Sequence, residues 1–340
     1  MKVYLIKASA GSSFSEYKKM TGGPPQNIFS AAASTSENID IEIADETVGM
    51  KTKFSSDADL IAIFMSTPDA LRAYEIADKF RKKCRIVVLG GLHTAFNQKE
   101  ALLHADAIMI GEIEGIWEQL LEDVQTGNLQ KKYKRTIPLD LAELRPYPTD
   151  LIPMKHYNYT WSVVVSRGCP FNCAFCLVPK FAGKIRFRPI ENIIEEIRNC
   201  PAEWIELHSD NLTADREYAL ELFRALKPLK KKFFAETTIL IGKDDELLQL
   251  AQDAGIKAML FGIETMSKEA LKDQNKGFVK PEDIKGFVKN IQSHGIMVMS
   301  DFLFGFDAHD KNVFKDTIDY IKEIGFNEVY PHLLIPYMGC

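Results

Sequence analysis

Hydrophobic and polar positions alternate in two textures along the first 128 residues. Apolar-rich runs, "KVYLIKA" (2–8), "IDIEIADE" (39–46), "DLIAIFMST" (59–67), "RIVVLGG" (85–91) and "DAIMIGE" (106–112), predict five strands. Between them lie stretches at helical spacing. In "PDALRAYEIADKFRKK" (68–83), Leu71, Tyr74, Ile76 and Phe80 recur on one face, and Pro68 suits a first helical turn. A second helix carries Ile116, Trp117, Leu120, Leu121 and Val124. This alternation predicts an open parallel sheet with helices on both faces.

Residues 129–160 break the pattern. Pro138, Pro146, Pro148 and Pro153 fall among polar residues and predict a linker. From Trp161 a second alternation begins, with strands in "WSVVVS", "EWIELHS", "FFAETTI", "AMLFGIE", "VMSDFLFGF" and "EVYPHLLIP". Helices lie between them, as at 189–200 (Ile190, Ile193, Ile194, Ile197) and 281–294 (Ile284, Phe287, Val288, Ile291). Six strand–helix units predict an incomplete parallel barrel with its chemistry at the carboxyl ends of the strands. The expected organisation is an α/β protein with domains at 1–128 and 161–340 and a linker at 129–160.

Composition changes this picture little. The 340 residues are 46% apolar and 26% charged, as in ordinary globular proteins. The net charge of −5 and the lack of a long basic run argue against nucleic acid as a partner. "KKYKR" (131–135) reads as a solvated part of the linker. No leader-like segment and no apolar run of about 18 residues occurs, which predicts a soluble, cytoplasmic protein without a membrane span.

In a reducing compartment six cysteines do not make a disulfide framework. Three of them, Cys169, Cys173 and Cys176, fall within "SRGCPFNCAFCLVP" (166–179), directly after the first strand of the second array. Three thiolates on one loop can hold three corners of a metal site. A closed zinc site would need a fourth, remote ligand. A four-iron cluster on three thiolates would instead leave one iron open to a small ligand. Cys84 and Cys200 read as small buried hydrophobes, and Cys340 as a frayed terminus. In the first array Ser66–Thr67, Gly90–Gly91 and Gly111–Glu112 close three consecutive strands. They read equally as the floor of a ligand crevice and as ordinary strand-to-helix turns.

The spacing C-x3-C-x-Φ-C, with Phe175 before the last cysteine, resembles the signature of radical S-adenosylmethionine (SAM) enzymes. The stretch "VVLGGLHTAFNQKEALLHADAIMIGEIEGIWEQLLEDV" (87–124), with "IADETVG" before it, resembles the cobalamin-binding domain that precedes the radical module in one large subfamily. "HSDNLTADREYALELFRAL", "FGIET" and "DFLFGFDAHDKNVFKDTIDYI" resemble that subfamily's barrel. The resemblance covers nearly the whole chain. It implies a Rossmann-like cobalamin-binding sheet followed by a partial (β/α)6 radical SAM barrel. Cys169, Cys173 and Cys176 would hold a [4Fe–4S] cluster whose open iron binds SAM. A one-electron donor such as flavodoxin or ferredoxin would serve as partner.

Ser66, Thr67, Gly90, Gly91, Gly111 and Glu112 would then receive cobalamin. The first histidine is His93, so the D-x-H-x-x-G motif of other cobalamin domains is absent, and the cofactor would be held without a histidine on cobalt. Phe175 would lie near the adenine of SAM, Arg167, Arg186 or Arg188 near its carboxylate, and Asp210, Asn211, Glu236 and Glu264 near its ribose hydroxyls or amine. Glu206, His208, Asp301, Tyr330 and His332 would face the substrate. The implied activity is C-methylation at an unactivated carbon of a small molecule or peptide. Ring rearrangement or cyclisation with the same cofactors, and a barrel whose first domain no longer binds cobalamin, are the alternatives. A tRNA methylthiotransferase should bring a second cysteine triad, and only Cys84 precedes the linker. "PHLLIPYMGC" corresponds to the end of the sixth strand, where similar proteins continue into a further domain.

Overall fold

A strand made almost wholly of apolar residues is stable only where both of its faces are covered. Lys2–Lys7 (β1), Leu60–Phe64 (β3), Ile86–Gly90 (β4) and Ala107–Ile110 (β5) meet that condition, while Asp40–Asp45 (β2) is an edge strand buried only at its end. They form one parallel sheet of order β2-β1-β3-β4-β5-β6, whose last member is the short strand Lys132–Lys134 (β6). Among the described residues its α-helices are α1 (Gln26–Ala33), α2 (Ala70–Arg81), α3 (Leu92–Phe96), α4 (Gln98–His104) and α5 (Ile116–Thr126). Alternate strand residues feed two cores. Tyr4, Ile61, Val87 and Ile108 pack with α2, while Leu5, Ala62, Val88 and Met109 pack with α1 and α5. Each large side chain buried this way contributes roughly 1.5–3 kcal/mol. The structure is a computed structural model that describes residues 1–11, 24–151, 156–157, 161–338 and 340.

Two features of this unit differ from the pattern reading. Leu71 is 83% exposed, because α2 meets the sheet through Ala70, Ala73, Ile76, Ala77 and Phe80. The small alanines let the helix approach closely, and Leu71 lies off that stripe. The stretch expected as a linker packs onto the unit over its described residues. Tyr133 on β6 is buried, with its hydroxyl donating to Asp123 Oδ2 (2.7 Å). Leu139, Leu141 and Tyr147 are buried too, and the Tyr157 hydroxyl donates to the buried Asp45 (2.9 Å). Proline forbids regular elements here but not the burial of its neighbours. Pro153 lies outside the described residues. The chain separates into two compact units, Met1–Thr160 and Trp161–Met338.

In the second unit β7 (Ser162–Val164) leads into a two-residue ribbon, β8 (Ser166–Arg167) with β9 (Arg186–Phe187), which are antiparallel. Then follow β10 (Trp204–His208), β11 (Lys232–Thr237), β12 (Ile256–Glu264), β13 (Met297–Phe304) and β14 (Glu328–Leu333). Strands β7 and β10 to β14 are parallel and lie side by side in chain order, as in a partial (β/α)6 barrel. Seven helices accompany them among the described residues: α6 (Val178–Phe181), α7 (Ile190–Asn199), α8 (Arg216–Leu226), α9 (Asp245–Ala254), α10 (Lys268–Asp273), α11 (Pro281–Ser293) and α12 (Val313–Ile324). Among the described residues no helix is long and apolar enough to cross a membrane.

Candidate functional site

The three-cysteine loop leaves the ribbon at Gly168. This glycine has φ +93°, and a Cβ there would sit 2.9 Å from the carbonyl oxygens of Gly183 and Lys184, so the turn admits no side chain. The Gly168 N–H donates to Asp210 Oδ2 (2.7 Å). Asp210 therefore holds the root of the loop and has less freedom to meet a ribose. A buried polar chain continues beneath it. The hydroxyls of Ser166 and Ser209 bond to each other (2.6 Å), and the Asn211 N–H donates to Ser209 Oγ (3.1 Å). The Thr237 hydroxyl donates to Asn211 Oδ1 (3.0 Å), and the Thr213 and Thr237 hydroxyls bond to each other (2.6 Å). With its oxygen so engaged, Asn211 turns its amide toward the Cys169 sulfur, where it favours the thiolate.

Cys169, Cys173 and Cys176 are all partly buried. Burial pushes the three thiols up, Cys176 to about 11, and Cys173 and Cys176 are raised further by neighbouring cysteines. Three half-dry thiols that repel one another as thiolates suit a group that brings positive charge to all of them. Among the described residues no three His, Cys, Asp or Glu side chains converge on one ion-sized point. Three thiolates on one loop suit a group that spans them, such as an iron–sulfur cluster.

A second segment clips onto this loop. The Ala174 N–H donates to the Gln274 carbonyl (3.0 Å), and the rings of Phe171 and Phe278 stack 4.0 Å apart. Between these contacts Lys276, only 8% exposed, bonds Glu264 Oε1 at 2.6 Å and lies 5.7 Å from the Phe175 ring centroid. Glu264, expected to meet SAM, is 7% exposed and carries a left-handed φ of +67° at a bulge in β12. Lys276 has no counterpart among the residues that the sequence singles out. Its only local sign is a polar "QNKG" between two helices.

Inside the barrel, Glu206 faces His208 Nδ1 (3.2 Å), and Asp301 Oδ1 faces His332 Nε2 (2.9 Å). Their partners outweigh desolvation, so the His208 and His332 rings both hold protons more tightly than a free imidazole. Tyr330 donates to Glu328 on its own strand. Glu236 reaches the open lumen between these pairs. Its side chain is exposed to that lumen, yet the surrounding strands desolvate it enough to push its carboxyl up to about 7, with Glu206, Asp301 and Asp210 adding to the shift and His208 opposing it. Below about pH 4.5 the folded and unfolded chains both hold this proton. Between about 4.5 and 7 only the folded chain does, so this group makes the fold less stable as pH rises through that window. Glu236→Gln is expected to flatten that decline, read as Tm against pH; an unchanged slope would show that the site carries no such carboxyl.

The arginines part company. Arg188 is buried in an ion pair with Glu196 of α7, and the Tyr218 hydroxyl donates to its carbonyl (2.6 Å), so it belongs to neither SAM nor the surface. Arg186 donates to the Ala182 carbonyl (3.1 Å), and Arg167 lies opposite it on the ribbon. Cys200 is buried, but Cys84 is exposed at φ +55°. Cys340, expected to be frayed, donates its thiol to the Phe175 carbonyl (3.0 Å), within the cysteine loop. A serine can make the same bond, so Cys340→Ser is expected to leave iron content within error of the parent. A loss of iron would make this sulfur a ligand.

In the first unit the strand order reverses between β1 and β3, the place where open α/β sheets receive ligands. Ser66 bonds to Asp69, which also accepts from Lys7 Nζ (3.1 Å) and the Ala10 N–H (3.1 Å). Burial works to raise the Asp69 carboxyl, but Lys7 and these donors hold it below the usual range. Thr67 Oγ1 lies 3.1 Å from His93 Nδ1. Gly90 and Gly91 have an internal reason to be glycine. A Cβ at Gly91 would meet the Met65 carbonyl oxygen at 2.5 Å, and one at Gly90 would press on Met109 and Phe64 at 3.1 Å. Of these three glycines, Gly111, at φ +88°, has open space where a Cβ would stand. Glu112 follows it, partly exposed. At Gly111 the edge therefore offers a ligand bare backbone, beside hydroxyls already oriented by partners.

Comparison with known proteins bears on both units. The model of the radical SAM superfamily matches residues 163–335. Bacteriochlorophyllide d C-8(2)-methyltransferase of Chlorobaculum tepidum is 31% identical over 331 residues, which span 88% of this chain and 70% of that protein. The C-12(1)-methyltransferase of the same organism is 28% identical over 93% of this chain and 72% of its own length. The structure of TsrM from Kitasatospora setae, a radical S-adenosylmethionine methyltransferase with cobalamin and a [4Fe-4S] cluster bound, superposes with a TM-score of 0.72 at 15% identity. It covers 99% of this chain and 77% of TsrM. OxsB, a cobalamin-dependent S-adenosylmethionine radical enzyme, gives 0.72 at 16% identity over 94% of this chain and 51% of its own. These two likenesses are of fold.

Proposed function

The chain belongs to the radical SAM superfamily, and from that premise we propose that it is a cobalamin-dependent C-methyltransferase acting at an unactivated carbon. One observation carries the reading. A loop of three half-buried thiols at the carboxyl end of the first barrel strand shares its chain with a parallel sheet of order 2-1-3-4-5-6, in a protein similar over most of its length to two methyltransferases. When bound, a [4Fe–4S] cluster with SAM supplies a radical that removes hydrogen, and cobalamin supplies a transferable methyl group.

The chain's own residues do the holding and the proton work. Cys169, Cys173 and Cys176 carry the cluster, with Asn211 directing an N–H at the first sulfur. Phe175 on that loop and Glu264 beside it meet SAM, with Arg167 on the adjoining ribbon facing its carboxylate. Glu236, with its raised affinity for a proton, can accept or return one within the lumen near neutral pH. The pairs Glu206–His208 and Asp301–His332 orient the acceptor by hydrogen bonds. Ser66, Thr67, Gly90, Gly91, Gly111 and Glu112 form the edge that receives cobalamin, with Gly111 as the point of closest approach. We place the enzyme in the cytoplasm, supplied by a flavodoxin or ferredoxin.

The test is anaerobic reconstitution with iron, sulfide and hydroxocobalamin, followed by counting of SAM products in the presence of reductant. Methyl transfer predicts both 5′-deoxyadenosine and S-adenosylhomocysteine. Deoxyadenosine alone would favour ring rearrangement or cyclisation and overturn the methyltransferase assignment.

A further inference from the structure

We propose that the buried Lys276–Glu264 pair is the electrostatic control of the cysteine loop, with Lys276 offsetting the charge of a loaded cluster and Glu264 limiting how much of that cation the cluster feels. The inference rests on the reading that Cys169, Cys173 and Cys176 hold a [4Fe–4S] cluster.

A lysine buried to this degree is uncommon, and a carboxylate partner at 2.6 Å explains only how it is tolerated. Its placement needs a further reason, because the backbone is strained at the pair itself. Glu264, not a glycine, adopts left-handed backbone at φ +67°, and Asn275 beside Lys276 does so at +54°, which asparagine tolerates. Such conformations persist where surrounding structure overrides them, and they gather at functional sites. Space is made for the pair as well. A Cβ on Gly262 would stand 2.3 Å from Glu264 Oε1 and 2.9 Å from Lys276 Nζ.

What this arrangement achieves is delivery of an ammonium to the cysteine loop. Ala174 is bonded to Gln274, Phe171 stacks on Phe278, and Lys276 lies between those two fixed points, against Phe175. A [4Fe–4S]2+ core on three thiolates carries one net negative charge, and one-electron reduction makes it two. In a partly dry site a nearby cation favours the reduced form, and a nearby anion opposes it. Lys276 should therefore raise the reduction potential and Glu264 lower it.

The experiment uses the full-length chain, reconstituted anaerobically without SAM and titrated with dithionite while the reduced cluster is followed by electron paramagnetic resonance. Lys276→Met is expected to move the midpoint to a more negative potential and Glu264→Gln to a less negative one. The double variant should return toward the parent, and Lys276→Arg should match it. General damage to the loop would not give shifts of opposite sign that cancel. Shifts of the same sign, or no shift, overturn the proposal. If Lys276→Met fails to load iron, Glu264→Gln decides alone, and an unmoved or more negative potential there overturns it. A parent protein that binds no cluster would instead overturn the cluster assignment, and this proposal with it.

Discussion

Cys173→Ala is expected to bring 5′-deoxyadenosine formation down to the level of a protein-free control while leaving the fold intact. The two halves of that statement have separate causes. Two remaining thiolates cannot hold three corners of a cluster, so electron transfer to SAM loses its platform. The loop's shape, in contrast, depends on contacts that do not involve the Cys173 sulfur. Ala174 bonds Gln274, Phe171 stacks on Phe278, and Gly168 is held by Asp210. Circular dichroism and Tm should therefore stay close to the parent as iron per chain falls. Parent-like deoxyadenosine from this variant would remove the cluster from these residues.

Gly91→Val should have the largest effect on stability. The residue sits at φ +100°, which costs a β-branched side chain about 1–3 kcal/mol. The added Cβ would also meet the Met65 carbonyl oxygen at 2.5 Å, and that atom belongs to backbone fixed by the end of β3. Overpacking of this kind typically adds about 1–3 kcal/mol. The combined loss of roughly 2–6 kcal/mol is a large part of what a domain has to lose. Thermal or urea denaturation should show the first unit melting early. Gly111→Ala is the comparison, because its φ is equally left-handed but its Cβ would stand in open space, and it should cost only the backbone share. Equal losses from both would mean that the Met65 contact carries no weight.

The strands were legible wherever apolar residues ran together, because burial of both sheet faces leaves its mark on every position. β3, β4 and β5 are buried almost throughout, whereas β2 and β14 show themselves through alternating apolar residues although much of each stays at least partly exposed. β6 escaped because "KYK" offers one apolar residue between two lysines, at a sheet edge where one side chain is enough. Leu71 was misplaced because spacing cannot show that a helix will prefer to pack through its alanines. At the site, the cysteines declared themselves by spacing alone. Lys276 could not, since its significance lies in what Gln274 and Phe278 touch across the fold. Arg188 was expected near the SAM carboxylate for a related reason: its partner Glu196 lies on a helix whose isoleucines alone suggested the buried face.

The clip between the cysteine loop and Gln274–Phe278 also orders events during synthesis. A ribosome releases the three cysteines well before it has made the segment that fastens them, since β10, β11 and β12 come between. Until residue 278 has emerged, the loop lacks the Ala174 bond and the phenylalanine stack, and its thiols stand open to oxidants and to stray zinc. Iron loading is thus expected to succeed on the finished chain, and expression that outruns iron supply should yield intact but colourless enzyme that can still be loaded afterwards.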